Sequence, residues 1–132
     1  MSQANIAIVQ SLYAAFLRGD VSTVVQGAAP DIHWEIVGRR EDYPLLGVRS
    51  GHAAMQEFFA SLAQLQDVSE FTPLEFDATG DKVFVRGRSA MTIRRSGQRV
   101  ASEWCHIFTL RDGKVTRFQE FTDTAQYAEA YR

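Results

Sequence analysis

The chain has one cysteine, three prolines and almost no charge excess, and each shortage removes a class of protein. A lone Cys105 cannot close an internal disulfide, which suits a reducing compartment. Fourteen Lys and Arg against sixteen Asp and Glu give a net charge of −2. The basic face that nucleic acid or an anionic membrane calls for is therefore missing, and neither is expected as a partner. No apolar run approaches the roughly 20 residues that span a bilayer. The opening MSQANIAIVQ lacks the basic start and apolar core of a signal peptide, so a cytoplasmic protein is expected. No phosphate-binding loop, nucleotide motif or zinc spacing occurs, and His33 and His52 have no partner at metal-ligand spacing. No metal or cofactor is expected. With no repeat, low-complexity tract or linker, residues 1–132 are read as a single domain, long enough to bury roughly two-thirds of its unfolded surface.

What the chain does have is rings: nine Phe, four Tyr and two Trp. From Asn5 to Leu17, Ile6, Val9, Leu12, Tyr13 and Phe16 recur at helical spacing. Gly19 ends that helix, and Asp20 caps a second, shorter one running to about Gly27. After Pro30, "DIHWEIV" reads as a strand, and "GRREDYPLLGVRS" (38–50) as a long irregular connection. Ser50 and Gly51 open a third helix with an apolar stripe through Met55, Phe58, Phe59 and Leu62. Four strands then follow, joined at Gly80-Asp81, Ser96-Gly97 and Asp112-Gly113, with "TAQYAEAYR" as a terminal helix. Helices first and an antiparallel meander afterwards predict an α+β layer fold.

The strings "YAAFLRGD", "APDIHWEIVG", "GVRSGHAAMQEFF" and "FTLRDGKVTRFQEFTDTA", in that order, resemble the nuclear transport factor 2-like superfamily. The resemblance is to its SnoaL-like polyketide cyclases and ketosteroid isomerase relatives. It implies a cone-shaped half-barrel, with N-terminal helices packed in the concave face of a curved, mainly antiparallel sheet. It further implies an apolar pocket at the wide end and pairing into a homodimer across the sheet's outer face. Function does not follow from this fold, which hosts isomerases, cyclases, hydrolases and inactive proteins.

The last hairpin concentrates the polar candidates. In the isomerases a carboxylic acid in the penultimate strand donates to the developing oxyanion. Counting from Gly97 puts His106 there, while counting back from Gly113 puts Cys105 there. A half-buried imidazole can donate to a carbonyl or take a proton near neutral pH, but it can also be a core histidine satisfied by the protein. Two hairpin registers are open. A two-residue loop sets His106 opposite Gln119; a three-residue loop sets it opposite Phe118 and puts Trp104 and Glu120 on its face. The run Trp104, Phe108, Leu110 favours the second, and so predicts an inward Glu120 suited to acid or base work. Glu120 could instead sit at the rim, paired with Arg117, Arg86, Arg88 or Arg94. Asp123 resembles the acid/base aspartate of the cyclases, and it also stands where an N-cap of the last helix belongs.

Trp34, Tyr13, Tyr43, Met55, Phe59, Trp104 and Phe118 complete the expected substrate-binding set. Tyr43 in the long connection is read as either a lid over the ligand or a surface-loop residue. By the resemblance, the isomerases' catalytic aspartate falls on Ile36 and their oxyanion tyrosine on Leu12, with Tyr13 turned away by about 100°. Glu35 faces the opposite side of its strand. That argues against authentic ketosteroid isomerase activity. Cys105 is expected to be a structural thiol, and Arg86, Arg88, Arg94 and Arg95 to lie on the sheet's outer face. The functional expectation is a cofactor-free isomerase, cyclase or hydrolase acting on a small apolar or cyclic carbonyl-type compound. The alternatives are a non-catalytic binding module and a dimerisation domain whose pocket is filled by its own side chains.

Overall fold

The computed structural model describes residues 2–132. Helix α1 (Ser2–Leu17) ends where Gly19 takes a left-handed φ of 79° that reverses the chain. Asp20 then caps α2 (Val21–Gln26), its carboxylate accepting from the Thr23 backbone N–H at 3.1 Å. Strands β1 (Ala28–Ile36) and β2 (Gly47–Ser50) follow, then α3 (Gly51–Leu65). The long strands β3 (Gln66–Thr79), β4 (Lys82–Ile93), β5 (Arg99–Arg111) and β6 (Lys114–Thr122) precede α4 (Thr124–Tyr131). One curved sheet results, in the order β2-β1-β6-β5-β4-β3, antiparallel throughout except where β1 runs parallel to β6. Against its inner face, α1 packs on β3 and β4, and α3 on β1 and β2. This is the expected α+β cone.

The connection at 38–50 departs from expectation. Its last four residues form β2, antiparallel to β1, and Ser50 makes no side-chain cap to α3. The preceding loop is pinned by arginines that satisfy its carbonyls. Arg49 donates to Pro44 O and Leu45 O at 2.8 and 2.9 Å, and Arg40 donates to Leu46 O and Val48 O. With its backbone partnered, this loop buries Leu45, Leu46 and Tyr43 in the core. Tyr43 is thus neither a lid nor a surface residue: it is 1% exposed and donates to Gln66 Oε1 at 2.7 Å.

The β5–β6 hairpin also differs from both sequence-based registers. Asp112 and Gly113 adopt φ of 52° and 79°, the mirror-image two-residue turn that an Asp-Gly pair favours, and Arg111 pairs with Lys114. The ladder then shifts by one residue between Leu110↔Val115 and Thr109↔Arg117, leaving Thr116 as a bulge bonded to Thr109 O. Beyond it His106 lies directly opposite Glu120, and Phe108 opposite Phe118. Without that extra residue the whole outer half of β6 would turn its other face inward.

Gly87 on β4 sits opposite Trp104 on β5. A Cβ there would lie 2.2 Å from the indole and 2.7 Å from Thr72 O, so the missing side chain is what lets Trp104 lie flat on the sheet. Outside, Arg86 pairs with Glu75 and Glu103, Arg88 with Glu70, and Arg94 with Asp67, while Arg95 stacks over Tyr131. Exposed pairs of this kind contribute little stability. Cys105 is half-buried, and burial pushes its thiol pKa up, away from nucleophilic character. No helix among the described residues is long and apolar enough to cross a membrane.

Candidate functional site

Three side chains from distant parts of the chain meet inside the cone. Tyr13, at the end of α1, brings its hydroxyl to 2.6 Å from His106 Nδ1. The other ring nitrogen, Nε2, lies 2.8 Å from Glu120 Oε1. His106 is 3% exposed, and the Glu120 side chain keeps 20% of its surface. The imidazole is held in plane by rings: Trp104 stacks on it at 3.9 Å between centroids, and the Tyr13 ring lies within 7° of parallel to it at 5.9 Å. Burial, then the Glu120 charge, then Cys105 hold the Tyr13 phenol well above its ordinary pKa.

The proton count on these groups fixes which way the bonds point. With one proton on the imidazole, Nε2–H donates to the Glu120 carboxylate, and Nδ1 accepts the Tyr13 O–H. With both nitrogens protonated, Nδ1–H donates to the Tyr13 oxygen and the phenolic proton is freed towards the cavity. One proton, added at the centre of the chain, turns Tyr13 from an occupied donor into an available one.

The cavity beside them encloses about 640 Å³ of empty space, part of it open to solvent. Its walls are almost wholly apolar, with Trp34, Met55, Phe58, Phe59 and Phe118 prominent, and the Tyr13, His106 and Glu120 groups form its polar edge. Trp34 stacks on Phe118 at 3.9 Å, so β1 and β6 build that wall together. A second cavity, of about 530 Å³ and also partly open, adjoins it and shares Glu120.

The sequence candidates distribute as follows. Tyr13, Trp34, Met55, Phe59, His106, Phe118 and Glu120 line the first cavity, whereas Tyr43 and Trp104 line the second. Tyr13 is not turned away: it shares the cavity wall with Leu12 and carries the hydroxyl that reaches His106. Glu120 is paired with His106 rather than with any arginine. Asp123 lines neither cavity. It is exposed at the N-cap of α4, accepting from Gln126 N and from Gln126 Nε2 at 3.4 and 2.8 Å. Asp123→Ala should therefore lower stability by about 1 kcal/mol in urea unfolding and leave ligand affinity unchanged. A variant that keeps its stability and loses affinity would return Asp123 to the site.

Ile36 lines the first cavity at the position expected to lack a carboxylate, while Glu35 faces out and accepts from Gln119 Nε2 at 3.0 Å. Sequence reasoning missed Phe71 and Phe108, which belong to the ring cluster around His106, and Gln66, Ser89 and Tyr127 in the second cavity. Alternation had already set Phe108 on the inner face, though not in the site, and the same pattern along β4 would have placed Ser89 there. Nothing in the sequence marked Gln66 as buried. No cluster of three or more His, Cys, Asp or Glu that could hold a metal ion exists among the described residues.

Solved structures share this architecture over nearly the whole chain. An NTF2-like protein from Burkholderia xenovorans LB400 is 32% identical with a TM-score of 0.90, the match covering 100% of this chain and 98% of that one. TerC, co-crystallised with polyporic acid, is 30% identical with a TM-score of 0.82, covering 97% and 98%. An NTF2-like protein from Burkholderia pseudomallei K96243 is 26% identical with a TM-score of 0.87, covering 99% and 98%. No curated protein matches the chain. The family model for the SnoaL-like domain matches residues 9–118. By that match and by its full-length likeness to these structures, the chain belongs to the SnoaL-like family of the NTF2-like superfamily.

Proposed function

We propose that this single-domain chain is a cofactor-independent acid/base enzyme that shifts a proton on a compact, apolar carbonyl compound, in an isomerisation or aldol-type cyclisation. The observation that carries this reading is the hydrogen-bonded series Tyr13–His106–Glu120 along the edge of an apolar cavity. Buried polar chains of this kind are expensive unless every member is satisfied, and they mark sites where charge is moved. A relative that co-crystallises with polyporic acid supports a small organic ligand in this fold.

With His106 protonated on both nitrogens, the Tyr13 hydroxyl donates to the substrate carbonyl. The free oxygen of Glu120 takes a proton from the adjacent carbon. The electron pair of that C–H bond moves into the carbonyl, and the resulting enolate oxygen is held by the Tyr13 O–H with the imidazolium charge behind it. Glu120 then returns the proton at another carbon, or the enolate carbon attacks a second carbonyl of the same molecule. Apolar walls keep water from competing and strengthen each electrostatic contact.

A non-catalytic binding module is the second reading. It is favoured by the fact that both ring nitrogens of His106 already have protein partners.

One experiment separates the two. Proton–deuterium exchange next to the carbonyl is followed by NMR for a panel of small cyclic ketones and enones plus polyporic acid, with binding measured in parallel. The enzyme reading expects exchange on a bound compound to be accelerated, and to fall about a hundredfold or more in Glu120→Gln while affinity changes only a few-fold. Binding without exchange above the buffer rate would leave the module reading standing instead.

A further inference from the structure

The second cavity differs in chemistry from the first. Its floor carries Gln66, Ser89 and Tyr127, each buried, together with Thr122 and the shared Glu120. Gln66 is 7% exposed, and its one recorded side-chain bond is to the Tyr43 hydroxyl through Oε1. Its amide nitrogen has no hydrogen-bond partner among the described residues and is not fully shut away, so it is open to a group in the cavity. Tyr127 is 6% exposed, and its hydroxyl points at the Met91 sulfur at 3.2 Å, a weak acceptor. The Gln66 amide thus stands unpartnered at the cavity, and the Tyr127 hydroxyl shares only that sulfur and the neighbouring Ser89 and Thr122 hydroxyls. Something arriving from outside can accept from both.

The charges around the cavity narrow what that something is. No Lys, Arg or His lines the second cavity, and Glu120 supplies one carboxylate at the boundary with the first. An anion entering there would shed its hydration beside a like charge with no cation to meet it.

We infer that the second cavity is a recognition compartment for an uncharged, oxygen-bearing end of the ligand, an amide, ketone or hydroxyl group that accepts from Gln66 and Tyr127, while the ligand's apolar end fills the first cavity. The substrate class of the site is then a neutral amphipathic carbonyl compound, its two ends meeting at Glu120. The assignment rests on the first cavity being the ligand site proposed above, but it does not require that any reaction occur there.

Three fragments decide it in crystals of the protein soaked separately at pH 7.5: toluene, acetamide, and acetate. Acetamide and acetate have nearly the same shape and differ in charge. Toluene is expected in the first cavity, acetamide in the second with its oxygen on Gln66 or Tyr127, and acetate in neither. In Gln66→Met/Tyr127→Phe, which keeps the volume and removes both donors, acetamide should be lost and toluene retained. Acetamide absent from the second cavity, acetate bound there equally well, or acetamide persisting in the double variant would each overturn the assignment. Failure of the exchange assay with acetamide still seated would overturn the catalytic reading alone.

Discussion

Trp104→Ala lowers the stability of the chain by about 3–5 kcal/mol, measured by urea or thermal unfolding, the range for deleting a large buried ring. Trp104 is 3% exposed and stacks on both His106 and Phe71, with centroids at 3.9 and 4.9 Å, so its loss opens a void that rigid neighbouring rings cannot close. The same logic predicts a coupling. Gly87→Ala alone drives a Cβ into the indole and should cost about 1–3 kcal/mol as overpacking. In the Trp104→Ala background the indole is gone and only the approach to Thr72 O remains, so the second substitution should cost distinctly less. Additive losses would mean that Gly87 is required for its backbone rather than for the ring it admits.

Alkaline pH should unfold the protein steeply. Tyr13, Tyr43 and Tyr127 are all buried, and desolvation is the first cause that raises each phenol above its ordinary value of 10.0. Glu120's charge adds to the shift on Tyr13 and Tyr127, and Tyr131's to that on Tyr43, while hydrogen bonds from Ser89 and Thr122 oppose it on Tyr127. In the unfolded chain these groups ionise near pH 10; in the folded protein they keep their protons. The stability they confer is whole below pH 10 and is lost as pH rises from there towards the folded-state values. Each phenol contributes a slope of about 1.4 kcal/mol per pH unit, so the three together give about 4 kcal/mol per unit once their unfolded forms are ionised. Urea midpoints taken between pH 9 and pH 11 test this, and Tyr127→Phe should flatten the slope by about a third. An unchanged slope in that variant would mean that its phenol ionises in the folded state.

Much of the architecture was legible because it follows from periods and punctuation. The helical spacing in α1 and α3, and a glycine at each meander turn, gave the elements and their order. The bulge at Thr116 was harder. Strict alternation cannot bury both Val115 and Phe118, which are three residues apart, and yet both lie inside. That mismatch of parity was the available signal for an extra residue, and it decides that His106 faces Glu120. The helix face of Tyr13 was misjudged for a different reason. A wide helix contact lets Leu12 and Tyr13 both reach one cavity, so alignment to a single position overstates the difference between them. Tyr43 could not be placed from its neighbours at all. Its burial depends on two arginines satisfying carbonyls of the same loop, a tertiary arrangement that no local pattern encodes.

The position of β6 has a kinetic consequence. It is the link between the β2-β1 pair and the β5-β4-β3 meander, and its pairing with β1 joins residues some eighty positions apart. Until β1 docks on β6, one edge of each of these strands stands open. The meander and the first helices can form from near neighbours, but joining the two parts must wait for a slow, long-range closure. Glu120 meets His106 in the local β5–β6 hairpin, but the Trp34–Phe118 wall of the cavity appears only in the step that seals the sheet. A partly folded chain would therefore hold helices and a meander with its His106–Glu120 pair, and no walled site.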